Sequence, residues 1–156
     1  MMTLSDRRAA LVSRVAVWPG DTLPRFFDKV AGAHADRPAI LTASRSWSYS
    51  AVQVTSKALA SGLVALGIAA GARVAVLMAN HPEFVMIKLA IARAGCIAVP
   101  VNIQLRQDEL RYVLSQSGCS AVIAMAGHRG REYLGDLEVL QAELEGLHHV
   151  VIREDE

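Results

Sequence analysis

Residues 73–101 read RVAVLMANHPEFVMIKLAIARAGCIAVPV, and the succession of residue types in this stretch decides the fold. Residues 73–79 form an apolar, β-rich run. Asn80-His81-Pro82-Glu83 reads as a helix start, with Asn80 as the cap and Glu83 placed to reach back to it. Residues 83–94 are apolar nearly all round, the pattern of a helix buried between layers. Gly95 permits a tight turn, and residues 96–101 make a second apolar strand. Continuous apolar strands joined through helices predict an α/β fold: a mainly parallel sheet with helices on both faces and right-handed crossovers.

Toward the C-terminus the same rhythm continues. It predicts a helix over 108–116, a strand over 121–126, and an amphipathic helix over 129–145 with Tyr133, Leu137, Leu140 and Leu144 inward. A last strand follows at 148–152. Toward the N-terminus, Ser50 and Gln53 fit a capping box for a helix that turns Val52, Leu59, Leu63 and Leu66 to one side and ends at Gly67. Residues 39–42 and 46–49 flank a polar turn and predict a β-hairpin. Thr22 and Pro24 start a helix that runs to about His34 and is ended by Asp36-Arg37-Pro38. Residues 1–20 carry a weak helical pattern stopped by Trp18-Pro19-Gly20. They read as a loosely attached arm ahead of an α/β portion spanning 21–156.

The chain has 156 residues, 53% of them hydrophobic and 20% charged, enough to bury a core. Its formal charge is +1, and no basic run interleaved with aromatics points to nucleic acid. Cys96 and Cys119 lie in apolar runs and do not form a C-x-x-C pair, so buried, reduced thiols in a cytoplasmic protein are expected. The apolar run at 84–101 is interrupted by Lys88, Arg93 and Gly95 and is not a membrane span; membrane contact, if any, is peripheral. The Ala and Arg content suits a GC-rich bacterial genome.

Ligands of such folds sit at the carboxyl ends of the strands. Those ends offer Ala79-Asn80, Val101-Asn102-Ile103 and Ala126-Gly127-His128, with no nucleophile beside a base. Neither a dinucleotide fingerprint nor a P-loop is present. His148 and His149 are adjacent on a strand and point to opposite faces, which is unsuited to sharing a metal. Asp108 and Glu109 fit a helix's first turn, where acids complement the dipole. Arg129 and Arg131, after a strand end, could hold a phosphate by paired hydrogen bonds, although solvated charges at a helix start explain them as well.

Four blocks carry a resemblance. They are Asp36-Arg37-Pro38-Ala39-Ile40 with Trp47-Ser48-Tyr49-Ser50; Leu63-Val64-Ala65-Leu66-Gly67-Ile68 leading through Gly71 into Arg73-Val74-Ala75-Val76; Asn80-His81-Pro82-Glu83-Phe84; and Ala92-Arg93-Ala94-Gly95 with Val99-Pro100-Val101-Asn102 and Glu109-Leu110-Arg111-Tyr112-Val113-Leu114. Together and in this order they resemble the start of acyl-CoA synthetases of the AMP-binding, adenylate-forming superfamily, within the large N-terminal domain. The Pro-Val-Asn ending is similar to the acyl- or aryl-CoA ligase branch; peptide-synthetase adenylation domains usually carry Asp at the Asn102 position. Ile103-Gln104-Leu105-Arg106 departs from the family's usual loop, with Arg106 where a capping Thr or Ser is common.

The resemblance implies an ATP-dependent fatty-acyl-CoA (carboxylate–CoA) ligase as the full-length parent. The carboxylate attacks the α-phosphate of ATP to give an acyl-adenylate and pyrophosphate, and the CoA thiol then displaces AMP. ATP, Mg2+ and CoA are implied for the parent, with none expected on this chain, because the phosphate loop, adenine-binding residues and catalytic lysine of the family lie downstream. No catalytic residue is therefore carried over. Asn102, Arg106 and Arg129 match positions that approach the nucleotide end of CoA. The alternatives are a non-catalytic α/β binding module that reuses the fold, or part of another adenylate-forming enzyme. An incomplete set of layers is also expected to self-associate through an exposed edge or patch.

Overall fold

The computed structural model describes residues 20–153 and, before them, positions 3, 5–7 and 10. The stop signal at Trp18-Pro19 and most of the expected arm lie outside the described residues. Helix α1 (Leu23–Ala33) leads into a hairpin of β1 (Pro38–Leu41) and β2 (Ser46–Ser48), then α2 (Tyr49–Ala65). Next come β3 (Arg73–Leu77), α3 (Pro82–Arg93), β4 (Ile97–Val101), α4 (Gln107–Ser117) and β5 (Cys119–Met125). A small hairpin of β6 (Gly127–His128) and β7 (Arg131–Glu132) precedes α5 (Leu134–Glu143) and β8 (His149–Arg153).

Four strands form one parallel sheet, as the apolar runs predict, and their order is β4-β3-β5-β8. Consecutive positions 74–77 of β3 and 121–125 of β5 are buried, so both sheet faces are covered. Helices α1, α2 and α3 pack together, α4 packs on α5, and the two groups supply the two covers. Among the described residues strand β4 pairs with β3 alone, and such an edge tolerates Pro100, opposite Val76, because the missing N–H can fall on the unpaired side. The turn into β4 uses Gly95 at φ 73°, a left-handed conformation that glycine adopts without strain.

Helix α3 joins two cores. Ile87, Ala90 and Ile91 face the main core under the sheet, whereas Met86 and Leu89 pack with Val52 and, around them, Phe27, Ile40 and Trp47. Beside this second core lies an ion pair that no local pattern signals. The Arg93 side chain is 9% exposed; Nη1 and Nη2 donate to the two Asp28 oxygens at 3.0 and 2.5 Å, and Nε donates to Ser56 Oγ at 3.0 Å. Gln53 Nε2 donates to Asp28 Oδ1 at 2.8 Å. These bonds, first among them those from Arg93, hold the Asp28 carboxyl at about 2 instead of 3.8.

Several local expectations change. The cap of α3 is His81, not Asn80: helical geometry begins at Pro82, so the cap is the residue directly before it, and no side chain caps the helix. For α2 the cap is Ser48, whose Oγ accepts from Ala51 N at 3.1 Å, and Gln53 is drawn away to Asp28. The buried stripe of α2 is Val52, Ser56, Ala60 and Leu63, while Leu59 and Leu66 are 39% and 47% exposed. The helix is rotated so that Ser56 meets Arg93. The predicted helix over 129–145 begins only at Leu134, because Arg129 (φ 50°) and Gly130 (φ 80°) are both left-handed and turn the chain into the β6–β7 hairpin.

Candidate functional site

Two of the depressions on the surface are large. The first, of about 690 Å³, lies at the carboxyl ends of β4 and β5. One wall is the loop after β4, with Ile103, Gln104 and Arg106; the other is the β6–β7 hairpin, with His128, Arg129 and Arg131, backed by Tyr133 and Asp136. The second, of about 760 Å³, is an apolar groove between α2, α3 and the β5–β8 part of the sheet, lined by Leu59, Leu66, Ile87, Ile123 and Val151. In the groove lining the Glu83 carboxylate lies 3.7 Å from Arg153 Nε, with Oε2 shielded from solvent and making no hydrogen bond among the described residues.

The first cleft is cationic. Arg131 is paired with Asp136 at 3.4 Å, whereas Arg106 and Arg129 are exposed and make no ion pair among the described residues. Arg106 stands at the cap of α4, where its backbone N donates to Glu109 Oε2 at 2.8 Å. A guanidinium cannot accept from the first-turn amides, so the side chain is left to the solvent and the cleft. Arg129 sits at the tip of a two-residue turn that asparagine or glycine would occupy with less strain. Two unpaired guanidinium groups, amide side chains from Gln104 and Gln107, and an imidazole suit an anion with several oxygens, such as a phosphate ester.

Of the three residues singled out from the sequence, Arg106 and Arg129 line this cleft. Asn102 is not among its lining residues; its Oδ1 accepts from Gln104 N at 2.9 Å and so shapes the loop that carries Arg106. Tyr133 and Asp136 were missed. Tyr133 is 1% exposed, and its hydroxyl donates to Ile103 O at 2.9 Å. A buried phenol needs such a partner, but the sequence does not say which carbonyl provides it. His148 and His149 have ring centroids 6.5 Å apart, and among the described residues no group of three carboxylate, imidazole or thiol side chains could hold a metal ion. Both thiols are buried, and loss of solvation pushes them up. No helix among the described residues is long and apolar enough to cross a membrane.

An open parallel sheet with a polar cleft at its carboxyl edge defines a mixed α/β domain of the kind that binds ligands at its strand ends. Residues 27–156 match the family of AMP-binding enzymes, and the chain belongs to that family. It is 38% identical over 106 residues to long-chain fatty acid transport protein 1 of Rattus norvegicus, covering 67% of this chain and 16% of that protein. It is 30% identical over 150 residues to triostin synthetase I of Streptomyces triostinicus, covering 96% of this chain and 28% of that protein. A solved Mycobacterium tuberculosis fatty acyl CoA synthetase superposes with a TM-score of 0.76 at 26% identity, over 85% of this chain and 26% of that one. The chain thus spans less than a third of the length of each of these relatives.

Proposed function

We propose that this chain is the opening portion of an ATP-dependent carboxylate–CoA ligase that acts on a fatty or other carboxylic acid in the cytoplasm of a bacterium. The observation that carries the reading is the family match over residues 27–156, together with relatives named for fatty acids and for acyl-CoA synthesis. The match to triostin synthetase I keeps other adenylate-forming chemistry in view; Asn102 is the residue that favours the CoA branch. ATP, Mg2+ and CoA belong to the full-length reaction. Within this chain the assigned role is to frame the CoA side of the site, with Arg106 and Arg129 facing its phosphates and Asn102 shaping the loop that carries Arg106.

The purified 156-residue chain is expected to give no ATP–pyrophosphate exchange with any fatty acid. A longer polypeptide carrying this sequence together with the downstream motifs is expected to form acyl-CoA and AMP. Exchange by the short chain, or AMP release by the longer one without thioester, would overturn the reading.

We also propose that the chain self-associates. The groove beside β8 exposes apolar surface, and among the described residues β8 has a sheet neighbour on one side only. Sedimentation should detect a dimer or larger species that weakens on Val151→Lys. A monomer at every concentration tested would refute this.

A further inference from the structure

The two walls of the cationic cleft come from strands that are not neighbours. Strand β3 lies between β4 and β5, so sheet spacing alone sets the ends of those strands roughly 10 Å apart. Two hydrogen bonds join the loop at 102–106 to the segment at 126–136 among the described residues, and both end on one atom. Ile103 O accepts from Tyr133 Oη at 2.9 Å and from Arg131 Nη1 at 3.3 Å, which a carbonyl with two lone pairs allows. Arg131 is fixed in turn by the Tyr133 ring, 4.9 Å from its guanidinium carbon to the ring centroid, and by Asp136. Tyr133 cannot shift without repacking, because it is 1% exposed and its own N donates to Ala126 O at 3.0 Å.

We infer that Tyr133 and Arg131 are positioning residues that set the gap between Arg106 and Arg129 by anchoring the Ile103 carbonyl. The inference rests on the reading of this cleft as a CoA-facing site. Without the anchor the loop at 102–106 keeps its own short-range bonds and the packing of Ile103 and Leu105 on the core but loses its hydrogen bonds to the facing wall, and a ligand must then order it further on binding. The anchor thus acts on affinity without touching the ligand.

The test is an NMR titration of the chain with CoA, read beside amide hydrogen exchange in residues 102–106. Tyr133→Phe removes one oxygen and keeps the buried ring. It should speed exchange in the loop and weaken CoA roughly fivefold, the size of one lost hydrogen bond. Arg131→Lys keeps the charge but loses the planar contact, and it should weaken CoA as well; an affinity that follows charge alone would remain unchanged. Arg129→Ala should weaken CoA and leave loop exchange as it was. If Arg129→Ala weakens CoA while Tyr133→Phe changes neither readout, the anchor is overturned and the CoA reading stands. If Arg129→Ala leaves CoA binding untouched, the CoA reading fails. Inorganic pyrophosphate then replaces CoA as probe: weakening by Tyr133→Phe keeps the anchor for another anion, and no weakening overturns it too.

Discussion

Arg93→Ala is expected to lower unfolding free energy by about 3 kcal/mol, measured by urea denaturation, because it leaves the Asp28 carboxylate with the Gln53 amide in place of its cation and takes a donor from the buried Ser56 hydroxyl, which keeps its bond to Gln53 O. Asp28 is a third exposed, which sets the figure at the low end for a broken ion pair. Asp28→Asn should cost less, since the amide oxygen still accepts from one guanidinium nitrogen. Combining it with Arg93→Ala should cost less than the two single losses added together. The pH dependence has a definite sign. The folded-state value of Asp28, about 2, lies below its ordinary 3.8, so the carboxylate's contribution is complete above the ordinary value and lost as pH falls through about 2. Wild type minus Asp28→Asn should therefore shrink by about 1–2 kcal/mol over that window, with solvent screening taken into account. A cost below 1 kcal/mol for Arg93→Ala, with no such shrinkage, would show that the pair is only a surface contact.

Ile91→Ala should be at least as severe, at about 3–4 kcal/mol. Ile91 is 0% exposed and lies on the side of α3 that meets the sheet, where neighbours held by strand pairing cannot collapse into the space left by three carbons. Ile91→Val should cost about 1 kcal/mol, and Val85→Ala, at a 43% exposed position on the same helix, within about 0.5. Leu89→Ala opens the smaller cluster between α1, α2 and the first hairpin and should fall between these values. Equal losses at Leu89 and Ile91 would mean that the two cores soften together and that α3 does not divide them.

Much of this architecture is legible in the sequence, for reasons visible at single residues. Val74 to Leu77 and Ala121 to Met125 are apolar without alternation because each is covered on both faces, and that signal needs no long-range knowledge. Gly95 and Gly67 are read correctly as turn and helix end because their left-handed φ values are a local demand. The failures are also physical. The apolar period of α5 starts at Tyr133, and extending it back over Arg129 overlooked a turn whose first residue is a strained arginine. Ser56 spoils an apolar stripe when read alone; its role appears only with Arg93, 37 residues away. In the cleft, Arg106 and Arg129 were named through resemblance and lie on facing walls, whereas the carbonyl of Ile103 has no side-chain identity for a sequence to display.

The strand order has a consequence for a chain made from its N-terminus. Strand β3 emerges first, β4 then lies on one flank, β5 on the other, and β8 beside β5. No strand has to be threaded between two that are already joined, so the sheet can widen at its margins while translation proceeds. Each newcomer meets a finished template, and the interval during which its backbone lacks partners lasts only as long as the synthesis of one intervening segment.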